Sequence, residues 1–198
     1  MTAVVLNLQQ VGLTDEQFYN LCQVNEKWNL ERTAKGELVI MPPVGGESGQ
    51  TEADLITDLN LWNRRSQLGI VFSSSTIFSL PHGGDRSPDA AWIAVNRWNT
   101  LNDKQKKGFP PICPDFVIEL RSHPPAFSIP PNRGEKGGLQ DKMQEYIASG
   151  LKLGWLIDPQ NNQVEIYRKN KDTEILQLPN QLSGENVLPG FTLDLGQF

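Results

Sequence analysis

The sequence predicts an α/β protein, a mixed β-sheet flanked by helices, and three observations carry that prediction. First, two kinds of apolar pattern alternate along the chain. Leu55, Leu59 and Trp62 recur at helical spacing, whereas "AAWIAV", "DFVIEL" and "LGWLID" are the short, near-continuous apolar runs of strands buried on both faces. Second, the order from residue 47 onward is helix, three strands, helix, strand (αβββαβ), which suits helices layered on a sheet of mixed strand direction. Third, 198 residues with 38% hydrophobic content suffice for one sizeable core and are short for two. A single domain over 1–198 is therefore expected, with its core at about 47–158.

Each element has a local reason. "LTDEQF" offers Thr14 as N-cap, Gln17 as its capping-box partner and Leu13 against Phe18 as a staple, predicting a helix from about 15 to 27. "GELVIMPP" is a strand closed by Pro42 and Pro43, and "VGGESG" reads as a flexible joint into the helix bearing Leu55. "GIVFSSSTIFSLP", "AAWIAV" and "DFVIEL" follow as strands, the last two separated by a short helix that Asn102 can cap. "LQDKMQEYIASG" aligns Leu139, Met143, Tyr146 and Ile147 on one helical face and stops at Gly150. "LGWLID", a turn at "DPQNN" and "QVEIYR" make a last hairpin. The Pro/Gly-rich stretch from His123 to Gly138 reads as a mobile loop at a sheet edge.

Composition narrows the function. A net charge of −5 argues against a nucleic-acid coat held by general basicity, but not against a local basic groove. There is no apolar run of membrane-spanning length and no signal-peptide pattern at the start, so a soluble, cytoplasmic protein without a membrane partner is expected. Cys22 and Cys113 lack CxxC or histidine partners and read as core residues.

One carboxylate stands out. Within "CPDFVIELRS", Glu119 sits in an otherwise apolar strand, where burial requires a cation or hydrogen bonds. Alternation puts Val117, Glu119 and Arg121 on one face, so a buried Glu119–Arg121 pair is the bland explanation. Asp89 opens the preceding strand behind Pro88, in "RSPDAAW", and can converge with Glu119 if the strands are neighbours. Two such carboxylates are enough protein ligation for Mg²⁺, which takes oxygen donors and usually retains water and substrate phosphate. Lys142, beside the apolar stripe of its helix, can reach both, although alone it would read as a solvated lysine. Glu52 and Asp54 are weaker acidic candidates, and His82 and His123 are isolated. Arg64-Arg65, Lys104-Lys106-Lys107 and Arg133-Lys136 could follow a phosphate backbone or be ordinary surface.

"RSPDAAW", "PDFVIELRS" and "LQDKMQEYIASGLKLGWLIDP" resemble the Uma-type restriction endonuclease family of bacteria, a branch of the PD-(D/E)XK nuclease superfamily. The resemblance covers most of the chain, from "LTDEQF" to "LPGF". It implies a restriction-endonuclease-like core, with Asp89 and Glu119 as metal ligands and Asp89, Glu119 and Lys142 as the catalytic set. The superfamily lysine two residues after the acid is replaced by Arg121, which is left to bind substrate phosphate because a guanidinium is a poor proton acceptor. Where the family would have a short turn after Ser122, this chain has His123-Pro124-Pro125 and a long segment. The implied function is a Mg²⁺-dependent DNA endonuclease, with Mn²⁺ as a possible substitute and a homodimer to cut both strands. A non-catalytic relative acting as a binding or assembly protein is the second reading. A glycosidase using the same two carboxylates is the third, and it needs an aromatic-lined sugar trough.

Overall fold

The computed structural model describes residues 3–121, 138–177 and 179–196. The elements, in order, are β1 (Val4–Asn7), α1 (Asp15–Val24), β2 (Asn29–Arg32), β3 (Glu37–Met41), α2 (Gly46–Ser66), β4 (Gly69–Ser73), β5 (Phe78–Ser79), β6 (Asp85–Arg86) and β7 (Ala90–Ala94). There follow α3 (Val95–Trp98), α4 (Asp103–Lys107), β8 (Phe116–Leu120), α5 (Gly138–Ala148), β9 (Leu153–Asp158), β10 (Gln163–Arg168), β11 (Glu174–Gln177), β12 (Gln181–Ser183) and β13 (Thr192–Asp194).

The main sheet has the order β11-β10-β9-β8-β7-β4, parallel only between β8 and β9. It contains the foreseen helix, three strands, helix, strand as α2, β4, β7, β8, α5 and β9. One face packs Trp92, Phe116, Ile118 and Trp155 under Leu55 and Leu59 of α2 and the C-terminal Leu188 and Phe191. The other packs Ala91, Ile93, Val117 and Leu156 under Met143 and Tyr146 of α5. A second sheet, β1-β3-β2-β6-β5, is built mainly from N-terminal strands and shares a small core of Phe18, Leu30 and Leu38.

Several local expectations hold. Thr14 and Gln17 form the capping box of α1, and Asn102 with Gln105 forms that of α4. Cys113 is buried and Cys22 packs against the α1 core; neither is in a disulfide. No helix among the described residues is long and apolar enough to cross a membrane.

Others are corrected. Helix α1 ends at Val24, not at about residue 27, with Asn25 as its C-cap. The "VGGESG" joint is the first turn of α2: Gly46 to Gly49 are already helical, so two glycines sit inside an element they ordinarily weaken. "GIVFSSSTIFSLP" is not one strand. A turn closed by the Thr76 amide on Ser73 O sends β4 into the main sheet and β5 into the other. The β9–β10 hairpin forms through a 3₁₀ turn at Pro159–Asn161, but β11 extends the sheet beyond it. The His123-to-Gly138 stretch lies outside the described residues except for Gly138.

Candidate active site

Strands β7 and β8 are antiparallel neighbours with Ala90 opposite Ile118, which brings Asp89 to the end of β8. Ala90 and Ile118 belong to the α2-side core, so alternation turns Asp89 and Glu119 to the opposite face, under α5. Asp89 is pinned there: the Leu120 amide donates to its Oδ2 at 2.6 Å.

Helix α5 supplies two side chains to Glu119. Lys142 Nζ lies 2.9 Å from Glu119 Oε1 and donates to Oε2 at 3.0 Å, while the Tyr146 hydroxyl donates to Oε1 at 3.0 Å. Lys142 and Tyr146 are one helical turn apart, so one face of α5 brings both. Gly154 gives Met143 of that helix room on the sheet: a Cβ there would come within 2.5 Å of Met143 Cε and 2.8 Å of Leu151 Cδ2. Lys142 is accordingly buried, only 4% exposed, rather than a solvated helix lysine.

A third carboxylate comes from the second sheet. Glu31 on β2 is buried; its Oε1 lies 2.8 Å from Lys142 Nζ and accepts the Ser87 amide at 2.9 Å, and its Oε2 accepts from Arg86 at 2.9 Å. Arg86 also donates to Glu145 of α5 at 2.6 Å, and Lys142 donates to Ser87 O at 2.9 Å. In the "RSPD" segment, Arg86 and Ser87 thus bond into this cluster, and Asp89 is held beside it by the Leu120 amide. Gly84, at φ +88°, lets β6 turn closely past β2: a Cβ there would stand 3.1 Å from both Ala34 N and Arg32 O.

Charge at the site is unbalanced. Four carboxylates, Glu31, Asp89, Glu119 and Glu145, surround two cations, Lys142 and Arg86. Burial pushes Glu119 up to about 8, with Asp89 and Glu31 adding to the rise and Lys142 opposing it. Burial likewise pushes Asp89 to about 6, with the Lys142 charge and the Leu120 amide opposing and Glu52 and Glu31 adding. Burial alone would lower Lys142, but Glu119, Glu31 and Asp89 outweigh it and hold the ammonium well above its ordinary value. For Glu31, too, burial is the largest influence and would raise it, yet Lys142 and Arg86 together hold it below its ordinary value. The surplus of anions adds to both shifts: it holds Lys142 charged against burial, and it reinforces the rise that burial gives Glu119. Tyr146, raised by burial and then by Glu119, stays a protonated donor.

The bland pairing of Glu119 with Arg121 does not occur. Arg121 lies just past β8, alongside Asp158 at the end of parallel β9, and its Nε is 2.8 Å from Asp158 Oδ2. It keeps 23% of its side chain exposed and reaches Gln140 of α5, whose amide donates to buried Glu165. Of the two α2 acids considered, Glu52 is the one whose charge Asp89 feels; Asp54 is exposed and acts on Asp58. His82 lies exposed in the turn before β6, and His123, Arg133 and Lys136 fall outside the described residues. Arg64 and Arg65 close α2, and Lys104, Lys106 and Lys107 lie on α4, with Lys106 over the Trp98 ring. The side chains bonded to Glu119 are Lys142 and Tyr146, and Asp89 takes a backbone amide, not the row of rings a sugar cleft needs.

Sequence reasoning missed Glu31. The available signal was "LERTAKGELVI", an acid between a leucine and an arginine ahead of a Lys-Gly turn and a strand, the pattern of the β2–β3 hairpin.

The donors fit a hard divalent cation. Among the described residues no group of three or more His, Cys, Asp or Glu is arranged around one point. However, Asp89 and Glu119 offer oxygen ligands only, in a cluster with surplus negative charge, and Mg²⁺ needs as few as one or two carboxylates.

Among curated proteins, no relative matches the chain. A crystal structure from Anabaena variabilis, described as a "putative nuclease belonging to DUF820", shares the fold with a TM-score of 0.67 and 19% identity, covering 83% of this chain and 86% of that one. A family model matches residues 15–196, nearly the whole length, and the chain therefore belongs to the Uma2 family, described as "Putative restriction endonuclease".

Proposed function

We propose that the protein is a Mg²⁺-dependent endonuclease that hydrolyses phosphodiester bonds in DNA, with Mn²⁺ able to substitute. The observation that carries this reading is the meeting of Asp89, Glu119 and Lys142, drawn from two adjacent strands and the following helix, in a cluster with excess negative charge. Family membership supports the nuclease class.

In this reading Asp89 and Glu119 hold the metal, which when bound supplies Lewis-acid neutralisation of the charge developing on the phosphoryl oxygens. Asp89 is oriented by the Leu120 amide and Glu119 by the Tyr146 hydroxyl, so both carboxylates are set before substrate arrives. Lys142 is a firmly protonated ammonium, so its contribution is to donate hydrogen bonds and positive charge to the attacking water and the phosphate, not to remove a proton. Arg121, partly exposed and fixed by Asp158, presents its guanidinium to a neighbouring phosphate. A two-fold dimer would place one such centre on each strand of a duplex. Light scattering giving a monomer both with and without duplex DNA would count against that assembly.

One observation favours the non-catalytic reading: Lys142 and both oxygens of Glu119 are already engaged inside the protein. The deciding experiment is cleavage of supercoiled plasmid during Mg²⁺ and Mn²⁺ titration, with Asp89→Ala as control. Metal-dependent cleavage lost in Asp89→Ala supports the endonuclease; absence of both cleavage and metal binding leaves the non-catalytic relative.

A further inference from the structure

We propose that Glu31, brought from the N-terminal sheet, is a positioning residue of the catalytic centre: it aims the Lys142 ammonium at Glu119. The inference rests on the nuclease reading above and adds to it an acid from outside the αβββαβ core.

An ammonium has three protons to donate. Lys142 Nζ has three acceptor groups: Glu119, Glu31 at 2.8 Å and Ser87 O at 2.9 Å. Its direction is therefore set by a tripod with one leg on β8, one on β2 and one on the "RSPD" segment. Glu31 stabilises two of these legs, because the oxygen that faces Lys142 also accepts the Ser87 amide and so fixes the peptide next to the Ser87 carbonyl. A role confined to pairing with Arg86 does not explain this arrangement. Arg86 already has Glu145 at 2.6 Å, and Glu31 uses its other oxygen for Arg86. Burying a further acid beside Asp89 and Glu119 adds like-charge repulsion, which a packing role alone would avoid with a neutral side chain. The result is a lysine that cannot swing to a second rotamer without abandoning a buried carboxylate.

The test uses the full-length protein and the variants Glu31→Gln, Glu31→Asp, Lys142→Met and Glu31→Gln/Lys142→Met. Glu31→Gln keeps the shape and removes the charge; Glu31→Asp keeps the charge and shortens the reach. Steady-state plasmid cleavage in Mg²⁺ should show kcat falling by about 10–100-fold in Glu31→Gln, the usual size of outer-layer effects, with KM for DNA and the half-saturating Mg²⁺ concentration within about twofold of wild type. Independently of activity, ¹⁵N NMR of lysine side chains should show a slowly exchanging ammonium signal, identified by its loss in Lys142→Met and broadened or lost in Glu31→Gln. Thermal-midpoint shifts of the two single variants should exceed that of the double variant when added, because both remove one interaction. An unchanged ammonium signal in Glu31→Gln, or additive midpoint shifts, overturns the proposal. Equal losses in KM and kcat, tracking the midpoint in both Glu31 variants, also overturn it by reducing Glu31 to a packing residue. A wild type that cleaves nothing sinks the nuclease reading instead, and the ammonium signal still judges the tripod by itself.

Discussion

Removing Lys142 and neutralising Glu119 should have very different consequences, although the two side chains form one contact. Lys142→Met deletes a cation whose nitrogen lies 2.9 Å from Glu119 and 2.8 Å from Glu31, and whose charge Asp89 also feels. At these distances each full ion pair is worth about 6 kcal/mol gross at an effective dielectric near 20. The net loss is smaller, because Glu31 retains Arg86 and Glu119 can take up a proton. Breaking a buried pair from one side costs roughly 3–5 kcal/mol, which for a chain of this size is a fall of about 6–20 °C in thermal midpoint. Glu119→Gln is different in kind. With its carboxyl pushed to about 8 by burial, Glu119 takes up a proton readily near neutral pH, so glutamine resembles a state within easy reach, and Lys142 retains Glu31 and Ser87 O. The expected change is within about 1 kcal/mol, or about 4 °C. Differential scanning calorimetry of both variants at neutral pH, without metal, measures the contrast. If Glu119→Gln lowers the midpoint as much as Lys142→Met, the acid excess inferred for this cluster is wrong.

The same carboxyls set a pH dependence. Asp89 and Glu119 hold protons more tightly in the folded protein than in the unfolded chain, so their contribution to stability is present at low pH and is lost as pH rises through about 6 and about 8. In this window Mg²⁺ should replace the protons: its stabilisation of the midpoint should grow from pH 6 to pH 8 in wild type and be absent in Glu119→Gln, and a pH-independent effect would contradict the ligand assignment. Gly154→Ala should cost about 1–3 kcal/mol by lifting α5 from β9, and should lower cleavage more than its unfolding midpoint explains because Lys142 moves with the helix; unchanged activity would show that the close approach is dispensable. Arg121→Gln should weaken DNA binding and reduce the slope of log affinity against log salt by about 1, measured by fluorescence anisotropy; an unaltered slope removes Arg121 from the phosphate contacts.

The αβββαβ order was legible because each element carries its own periodicity, and so was the placing of Asp89 and Glu119 on neighbouring strands; the burial of Lys142 against Glu119 was not, since its own helix position reads as solvated. Local caps were legible for the same reason: Thr14 and Gln17, or Asn102 and Gln105, act within three residues. What was not legible depends on contacts between distant segments. Glu31 lies in a four-residue strand with a single buried leucine beside it, and only the docking of the second sheet against α5 reveals what it faces. The break between β4 and β5 was hidden because serine- and threonine-rich turns and polar strand faces look alike one residue at a time. The partner of Arg121 was misread because same-face spacing within one strand does not disclose Asp158, which stands beside it on a parallel neighbour 37 positions later.

Helix α5 is anchored by its own contacts: Met143 over Gly154, Glu145 on Arg86, and Tyr146 and Lys142 on Glu119. None of these passes through the segment joining Arg121 to Gly138. The two ends of that connection are therefore held independently of its length, and since the cost of closing a longer loop rises only by about 0.6 kcal/mol per doubling, it is free to lengthen or change composition over evolutionary time. A lineage can thus rewrite the chain between Glu119 and Lys142 while inheriting the contact between them intact.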